Sequence, residues 1–335
     1  MDVERIAMFA GVGFAIVVGL FVLWGPSPKP RKKGQVIGIN NLGYTCFLNS
    51  LLQALAACPT FILWLQRQQE KNRNFADTLL SVLKKINGFA DDMYGDVTPI
   101  EIISSVGSLW NFGPGHQDAH ELFHVVLSAL DAEIQPANRS SVRYDKLETL
   151  SLPLPPLTSF MPQHHTLEWL LSRFVDSEMV RDVQCDGCSL RCAAVKTLTL
   201  GKLPKCLCLH IPRTTWSSSG VLIKRDDQIT FPELLVLDPY TYTETKKRSV
   251  QGDAVKFLDS GFTTIQGKHK YRLCAVIEHR GPVDSGHFVC FRRGNKTDQW
   301  LYTSDIIVES VSLTQVLLAS PYLLFYERIS SVYPS

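Results

Sequence analysis

The chain has 335 residues, of which 45% are hydrophobic and 20% are charged, and its formal net charge is +2 at pH 7. This composition is that of an ordinary globular enzyme with one large core or two smaller ones, and the balanced charge argues against nucleic acid as a partner. The nine cysteines are scattered without the framework of a small disulfide-rich domain, so free thiols are expected.

An apolar segment from Ile6 to Trp24 contains no charged residue. At about 1.5 Å rise per residue it is long enough to cross a hydrocarbon core of about 30 Å. Basic residues follow it at Lys29, Arg31, Lys32 and Lys33. Because the basic flank of a span stays in the cytosol, the sequence predicts a single-pass signal anchor with the bulk of the chain in the cytosol. A cleaved secretory signal peptide is disfavoured, since its positive charge would precede the apolar segment.

The predicted organisation has four parts. Residues 1–5 form a short tail in the intermembrane space, 6–24 the transmembrane anchor, 25–36 a basic linker, and 37–328 the catalytic domain. A short anchor rich in glycine and alanine with a basic flank is typical of the mitochondrial outer membrane. The membrane of the endoplasmic reticulum stays open as an alternative.

From residue 38 to about residue 133 the apolar residues recur mainly with helical spacing, and strand patterns dominate afterwards. Helices are predicted over 75–89, 99–110 and 117–133. Strands are predicted over 149–154, 195–200, 207–211, 271–278, 288–292 and 322–326. A helical half followed by a strand-rich half predicts an α+β fold. Weak patterning over 239–268 predicts a long loop or insertion.

Cys46 lies where a polar, glycine-containing loop gives way to a helical apolar pattern that begins at Phe47. The unpaired N–H groups and the dipole at a helix start favour an anion, so the position predicts a lowered thiol pKa and a nucleophilic thiolate. The alternative is a small buried hydrophobe, which is what most isolated cysteines are.

His287 opens a predicted strand directly after a turn rich in glycine, proline, aspartate and serine. Junctions of this kind hold catalytic side chains rigidly. A histidine there is a candidate general base, although a single histidine more often has no catalytic role.

Three segments taken in order, Gly38–Gln53, Gln117–Leu122 and Tyr271–Phe291 with Trp300–Tyr302, resemble the conserved boxes of the ubiquitin-specific proteases. The resemblance covers nearly everything from Gly38 to Glu327. Within that family the chain looks most similar to the member of the mitochondrial outer membrane. It implies a papain-like catalytic domain with a helical thumb over 37–135 and fingers and a palm over 136–328.

The resemblance also implies catalytic roles. Cys46 matches the nucleophile, His287 the general base, and Asn41 the side-chain donor to the oxyanion, together with the backbone N–H of Cys46. Ser304 stands where the family usually has an acidic or amide third member. Its hydroxyl would accept from the Nδ1–H of the histidine, which fixes the tautomer but cannot stabilise imidazolium as a carboxylate does. Asp305 is the rival orienting residue.

Asp118 and Glu121 match positions that hold the arginine-rich tail of ubiquitin, and His279 matches a substrate-binding residue beside the channel for that tail. A capping aspartate on a solvated helix is the alternative interpretation of Asp118. The family often binds zinc with two Cys-x-x-Cys pairs, and this chain has one, Cys185 and Cys188. Two thiolates are half of a tetrahedral site. No cofactor is therefore expected, with a structural zinc at Cys185 and Cys188 as the minor alternative, and the fingers look shortened.

The resemblance implies a thiol-dependent deubiquitinase whose partners are ubiquitin, ubiquitinated membrane proteins and the membrane. Placement on mitochondria implies opposition to mitophagy, and the closer similarity implies a preference for chains joined through the sixth-residue lysine of ubiquitin. One alternative is a catalytically weak, membrane-tethered ubiquitin-binding protein, motivated by Ser304 and the shortened fingers. A generic papain-like peptidase is a third hypothesis.

Overall fold

The computed structural model describes residues 33–68, 74–90, 97–113, 117–133, 149–156, 163–184, 190–217, 219–245, 267–283 and 285–329. Within these ranges the helices are α1 (Cys46–Ala56), α2 (Pro59–Arg67), α3 (Asn74–Ile86), α4 (Ile100–Val106), α5 (Ala119–Glu133), α6 (Leu167–Phe174) and α7 (Leu313–Leu317). The first five helices form one helical layer, and the strands follow after them. The mixed helix-and-sheet composition predicted from the sequence is confirmed.

The strands are β1 (Leu150–Ser151), β2 (His164–Thr166), β3 (Ser177–Gln184), β4 (Arg191–Thr197), β5 (Cys206–His210), β6 (Thr214–Trp216), β7 (Leu222–Lys224), β8 (Gln228–Thr230), β9 (Leu234–Val236), β10 (Lys270–Arg280), β11 (His287–Arg293), β12 (Trp300–Ser304), β13 (Ile307–Val311) and β14 (Leu323–Arg328). The central sheet has the order β1-β5-β14-β10-β11-β12-β13, and β9 pairs with the start of β10.

The central sheet has a buried core on each face. Along β14 the side chains alternate between the two cores: Leu323 and Phe325 face the helical layer, whereas Leu324 and Tyr326 face the second core, which includes α6. This alternation is the period-two geometry of a strand buried on both faces. A bulge in β10 at Cys274 shifts its register against β14 by one residue.

Helix α1 occupies the centre of the helical layer. All residues from Phe47 to Ala56 are buried, because the helix packs against β11 on one side and against α3 and α5 on the other. A helix enclosed in this way has a fixed position, so its first residue, Cys46, has a fixed position as well.

A two-stranded hairpin of β3 and β4 stands apart from the central sheet, and most of its side chains are exposed. The predicted zinc ligands Cys185 and Cys188 belong to the connection between these strands and lie outside the described residues. Across the ranges that the structure covers, no cluster of three or more His, Cys, Asp or Glu residues is arranged to hold a metal ion.

The three predicted helices are confirmed with shorter bounds, and the strands predicted over 207–211, 271–278, 288–292 and 322–326 are confirmed as β5, β10, β11 and β14 with shifted or longer bounds. The strand predicted over 195–200 overlaps only the last three residues of β4. The segment 149–154 forms only the two residues of β1, and most of the predicted loop over 239–268 lies outside the described residues, as does the predicted anchor over 6–24. Among the described helices, none is by itself long and apolar enough to cross a bilayer, and α1 with α2 passes that test only as a pair bent by 83°.

Candidate active site

The loop that precedes α1 is held by its own side chains. The carboxamide oxygen of Asn41 accepts hydrogen bonds from the backbone N–H groups of Gly43, at 2.9 Å, and Thr45, at 3.2 Å. Gly43 has a φ of 105°, a conformation that favours glycine. The Thr45 hydroxyl in turn accepts from the backbone N–H of Leu42 at 3.0 Å. These local bonds hold the loop closed immediately before Cys46.

Burial raises the pKa of the Cys46 thiol above its ordinary value. The backbone N–H groups of Phe288, Phe47 and Cys46 itself lower this pKa, but they do not offset burial, and the nearby carboxylate of Asp305 raises it further. The prediction that the helix start would produce a net lowered pKa is therefore wrong, because desolvation of the thiolate outweighs the helix N–H groups. The resting sulfur is a thiol that needs a base.

His287 is the first residue of β11, and its imidazole Nε2 lies 2.9 Å from the hydroxyl of Ser304, the last residue of β12. The Asp305 carboxylate is farther away, at 3.8 Å from the same nitrogen. The backbone N–H of Phe288, the next residue, bonds to the Cys46 sulfur, so the start of β11 lies against the thiol. The sequence predicted the partnership with Ser304 but assigned it to Nδ1, and that assignment is wrong.

Asp305 is connected to the loop before α1 through both of its carboxylate oxygens. Oδ2 accepts from the Asn41 amide at 2.9 Å, and Oδ1 accepts from the Asn49 amide at 2.7 Å. Its backbone carbonyl accepts from the N–H of Ile39 at 2.9 Å. An amide nitrogen carries two hydrogens, so the bond to Asp305 orients the Asn41 amide and leaves its second hydrogen to be donated elsewhere.

The turn between β10 and β11 requires a glycine immediately before His287. A β-carbon on Gly286 would lie 2.1 Å from the Nε2 of His279 and 2.6 Å from the carbonyl oxygen of Arg280. The ammonium of Lys224 fixes the same turn, since it donates to the carbonyl oxygens of His279, at 2.9 Å, and Gly281, at 2.6 Å. His279 on β10 and Lys224 on β7 thus fix the turn that leads into β11.

A pocket of about 170 Å³, here called the side pocket, opens beside Phe288. The three residues predicted to bind a basic peptide tail line it together: Asp118, Glu121 and His279. Other lining residues had no predicted role, among them His210, Arg213, Lys224 and Tyr322. The sequence therefore identified one wall of the pocket, which the α5 start and the end of β10 supply.

Asp118 has a structural role in addition to lining the side pocket. Its Oδ1 accepts from the backbone N–H groups of His120, at 2.7 Å, and Glu121, at 3.1 Å, at the start of α5. Its Oδ2 accepts from the phenol of Tyr322 at 2.5 Å. The capping interpretation of Asp118 is thus supported, and Glu121 is the carboxylate on the exposed surface of the pocket.

His210 is the buried residue of the side pocket that sequence reasoning missed. Its ring stacks on that of His120 at a centroid distance of 3.7 Å, and its Nδ1 lies 2.8 Å from the hydroxyl of Ser151. Burial lowers the pKa of His210 to about 3, so the imidazole is neutral. Within the described ranges its buried Nε2 has no hydrogen-bond partner. Nothing in the strand pattern over 207–211 distinguished this residue from its apolar neighbours.

A family model described as ubiquitin carboxyl-terminal hydrolase matches residues 37–326. The protein named "Ubiquitin carboxyl-terminal hydrolase 30" of Xenopus tropicalis is 31% identical to this chain over 457 aligned residues, which cover 97% of this chain and 87% of the relative. The protein of the same name from Homo sapiens is 30% identical over 476 residues, with 97% and 90% covered. These alignments are longer than the 335-residue chain, so the relatives carry internal segments that it lacks.

Among solved structures, one chain of the SAGA Ubp8/Sgf11/Sus1/Sgf73 DUB module bound to ubiquitin aldehyde superposes with a TM-score of 0.70. The superposition covers 98% of this chain and 76% of that chain, at 22% sequence identity. At this level of identity the likeness concerns the fold.

Proposed function

This chain belongs to the ubiquitin carboxyl-terminal hydrolase family of cysteine-type ubiquitin hydrolases, and on that premise we propose that it cleaves isopeptide bonds between ubiquitin and lysine side chains with Cys46, His287 and Ser304 as its catalytic residues. The observation that carries this proposal is the histidine at the start of β11, bonded to Ser304 at 2.9 Å while the next backbone N–H bonds to the Cys46 sulfur.

Proton transfer in this mechanism follows from the histidine geometry. When Ser304 accepts from the Nε2–H of His287, the Nδ1 of the same ring is unprotonated and takes the proton of the Cys46 thiol. The sulfur then attacks the carbonyl carbon of the isopeptide bond, and the imidazolium returns the proton to the leaving lysine amine. Water attacks the resulting thioester by the same route in reverse and releases the ubiquitin carboxylate.

Two further groups stabilise charge along this route. The Asn41 amide, oriented by Asp305, and the backbone N–H of Cys46 donate to the oxyanion of the tetrahedral intermediate. Ser304 is neutral, so it cannot stabilise the imidazolium by charge. The Asp305 carboxylate, 3.8 Å from Nε2, supplies that negative charge instead. In this proposal Ser304 orients the imidazole and Asp305 supplies the negative charge, two tasks that a single carboxylate performs where it is the third member of the triad.

The side pocket is the binding site that we propose for the basic tail of ubiquitin. Glu121 presents its carboxylate on the exposed edge of the pocket, where it is suited to an arginine of the tail. The cationic groups of the pocket are already engaged. Lys224 bonds to two backbone carbonyls of the β10–β11 turn, and Arg213 bonds to the carbonyls of Pro321 and Asp227.

A ubiquitin that carries a C-terminal electrophile tests the enzymatic proposal against the alternative of a catalytically weak ubiquitin-binding protein. We expect one stable adduct per chain, at Cys46, because the proposed nucleophile should react at the ubiquitin terminus. Cys192 provides the matched control, since it is a free and exposed thiol outside the site. An adduct that persists in Cys46→Ala and disappears in Cys192→Ala would contradict the proposal.

For location we propose the mitochondrial outer membrane, with the anchor over 6–24 and the catalytic domain in the cytosol, where the enzyme removes ubiquitin from membrane proteins and opposes mitophagy. The apolar segment, its basic flank and the similarity described above support this placement. Deleting residues 1–25 should yield an active enzyme that no longer fractionates with mitochondria. Continued mitochondrial retention of the truncated chain would indicate that a partner rather than the anchor holds it there.

A further inference from the structure

Three thiols outside the catalytic centre surround a partly buried carboxylate between the helical layer and the central sheet. Cys206 lies on β5 directly opposite Glu327 on β14, and its sulfur lies 3.7 Å from the Oε1 of Glu327. Cys274 occupies the bulge of β10 on the other side of β14, where its thiol donates to the carbonyl oxygen of Arg272 at 3.6 Å and lies close enough to Glu327 to lower the pKa of that carboxylate. The third thiol, Cys58, is the residue between α1 and α2; its Sγ donates to the carbonyl oxygen of Ala54 at 3.5 Å, and it lies close enough to Cys206 and Cys274 for both thiols to raise its pKa.

The three thiols differ in their exposure to solvent, which determines which of them an oxidant reaches first. Cys58 and Cys274 are 1% and 4% exposed, whereas Cys206 is partly exposed. The neighbouring thiols of Cys206 and Cys274, together with burial, raise the pKa of Cys58 well above its ordinary value. Cys206 is therefore the thiol that a small oxidant reaches first, while Cys58 is held in contact with it.

Glu327 is suited to accept the thiol proton of Cys206. Its Oε1 also accepts from the backbone N–H of Thr60 at 2.6 Å, which fixes the carboxylate at the start of α2. Burial raises the pKa of Glu327 above that of an exposed glutamate, which makes the carboxylate a stronger base. The catalytic steps proposed above use none of these four residues.

We propose that Cys206 and Cys58 form a redox modification site, in which hydrogen peroxide converts the two thiols into a disulfide between the α1–α2 junction and β5. Cys206 loses its proton to Glu327 and attacks one peroxide oxygen; the S–O bond forms, the O–O bond breaks, and the departing hydroxide takes up a proton as water. Cys58 then attacks the sulfur of the resulting sulfenic acid; the S–S bond forms and a second water leaves. In total the two thiols lose two electrons and two protons, and one hydrogen peroxide is reduced to two waters.

The test uses the full chain with Cys46→Ala, so that the catalytic thiol does not react. The folded protein is exposed to hydrogen peroxide, alkylated, digested without reductant and examined by mass spectrometry. We expect a linked pair of peptides containing Cys58 and Cys206, lighter by two hydrogens than the separate peptides and separated by dithiothreitol. The pair should be absent when the chain is oxidised in urea.

Single substitutions sharpen the test. Cys58→Ser should abolish the linked pair and leave Cys206 as a sulfenic acid that dimedone traps, while Cys192→Ser, the matched control, leaves the pair intact. Glu327→Gln should slow its formation several-fold. Two results would overturn the proposal: Cys58 and Cys206 both fully alkylated at a peroxide dose that oxidises the exposed Cys192, or a Cys58–Cys274 pair in place of the Cys58–Cys206 pair.

Discussion

The catalytic centre and the side pocket adjoin at Phe288 but are stabilised in different ways. At the catalytic centre, turns and strand ends present half-exposed groups, and hydrogen bonds between residues far apart in sequence orient them, such as Asn41 with Asp305 at 2.9 Å. In the side pocket, buried rings stack in fixed positions, and the pKa of His210 is lowered to about 3. We therefore assign proton movement to the first region, whereas the second presents a neutral His210 in a fixed position.

Substitution of the proposed nucleophile is the strongest test of the separation between chemistry at the catalytic centre and binding in the side pocket. Cys46→Ala should abolish hydrolysis and leave binding of ubiquitin in place, because the side pocket does not depend on the thiol. Removal of a nucleophile usually costs more than about a thousandfold in kcat. Residual turnover above about a thousandth of the wild-type rate, measured with a fluorogenic ubiquitin substrate, would count against the assignment, and binding is checked by calorimetry.

The next effect concerns the oxyanion donor and the residue that orients it. Asn41→Ala should lower kcat by about 100-fold to 1,000-fold, the usual loss for one oxyanion donor. Asp305→Ala should lower kcat in the wild-type background and have a much smaller effect once Asn41 is gone, because Asp305 acts partly through that amide. A double-mutant cycle measures the coupling. Fully additive losses would show that Asp305 does not act through Asn41.

The turn before β11 connects the two regions, and Gly286→Ala should disturb both. A β-carbon 2.1 Å from the ring of His279 forces the turn to move, and His287 moves with it. A displacement of about 1 Å costs roughly 100-fold in rate, so we expect a loss of that order in kcat, together with a higher KM. Gly201→Ala is the control, since nothing lies within 4 Å of its added carbon. A Gly286→Ala variant with wild-type kinetics would show that the turn is not rigid.

The sequence predicted a helix that starts beside Cys46 and a strand that starts at His287, and the structure has both junctions there. The sign of the thiol pKa shift was not predictable, since burial depends on how the start of β11 covers the helix end. The sequence likewise could not predict that Nε2 rather than Nδ1 of His287 faces Ser304, because this depends on the rotamer of the His287 ring. His210 was missed because its role arises from a stacking partner in a distant helix, which periodicity does not report.

In the fold, the sequence predictions missed both short and longer elements, the longer ones being α2, α6, α7, β3, β12 and β13. Strands of three residues, such as β6–β8, are too short for a period-two pattern to stand out. Helix α6 had a readable signal. Thr166 caps it by accepting from the backbone N–H of Trp169 at 3.2 Å, and its buried leucines are spaced as a helix requires.

The smallest predicted effect isolates the side pocket from the chemistry. Glu121→Ala should raise KM about tenfold and leave kcat nearly unchanged, because its carboxylate contacts substrate in the ground state and the transition state alike; one charge-assisted hydrogen bond is worth about 1.5–3 kcal/mol. Glu309→Ala, at an exposed carboxylate on β13, is the control. The KM difference should diminish in high salt, since the side chain is exposed. If Glu121→Ala lowered kcat instead, the pocket would contribute to transition-state stabilisation, and the separation of the two regions would not hold.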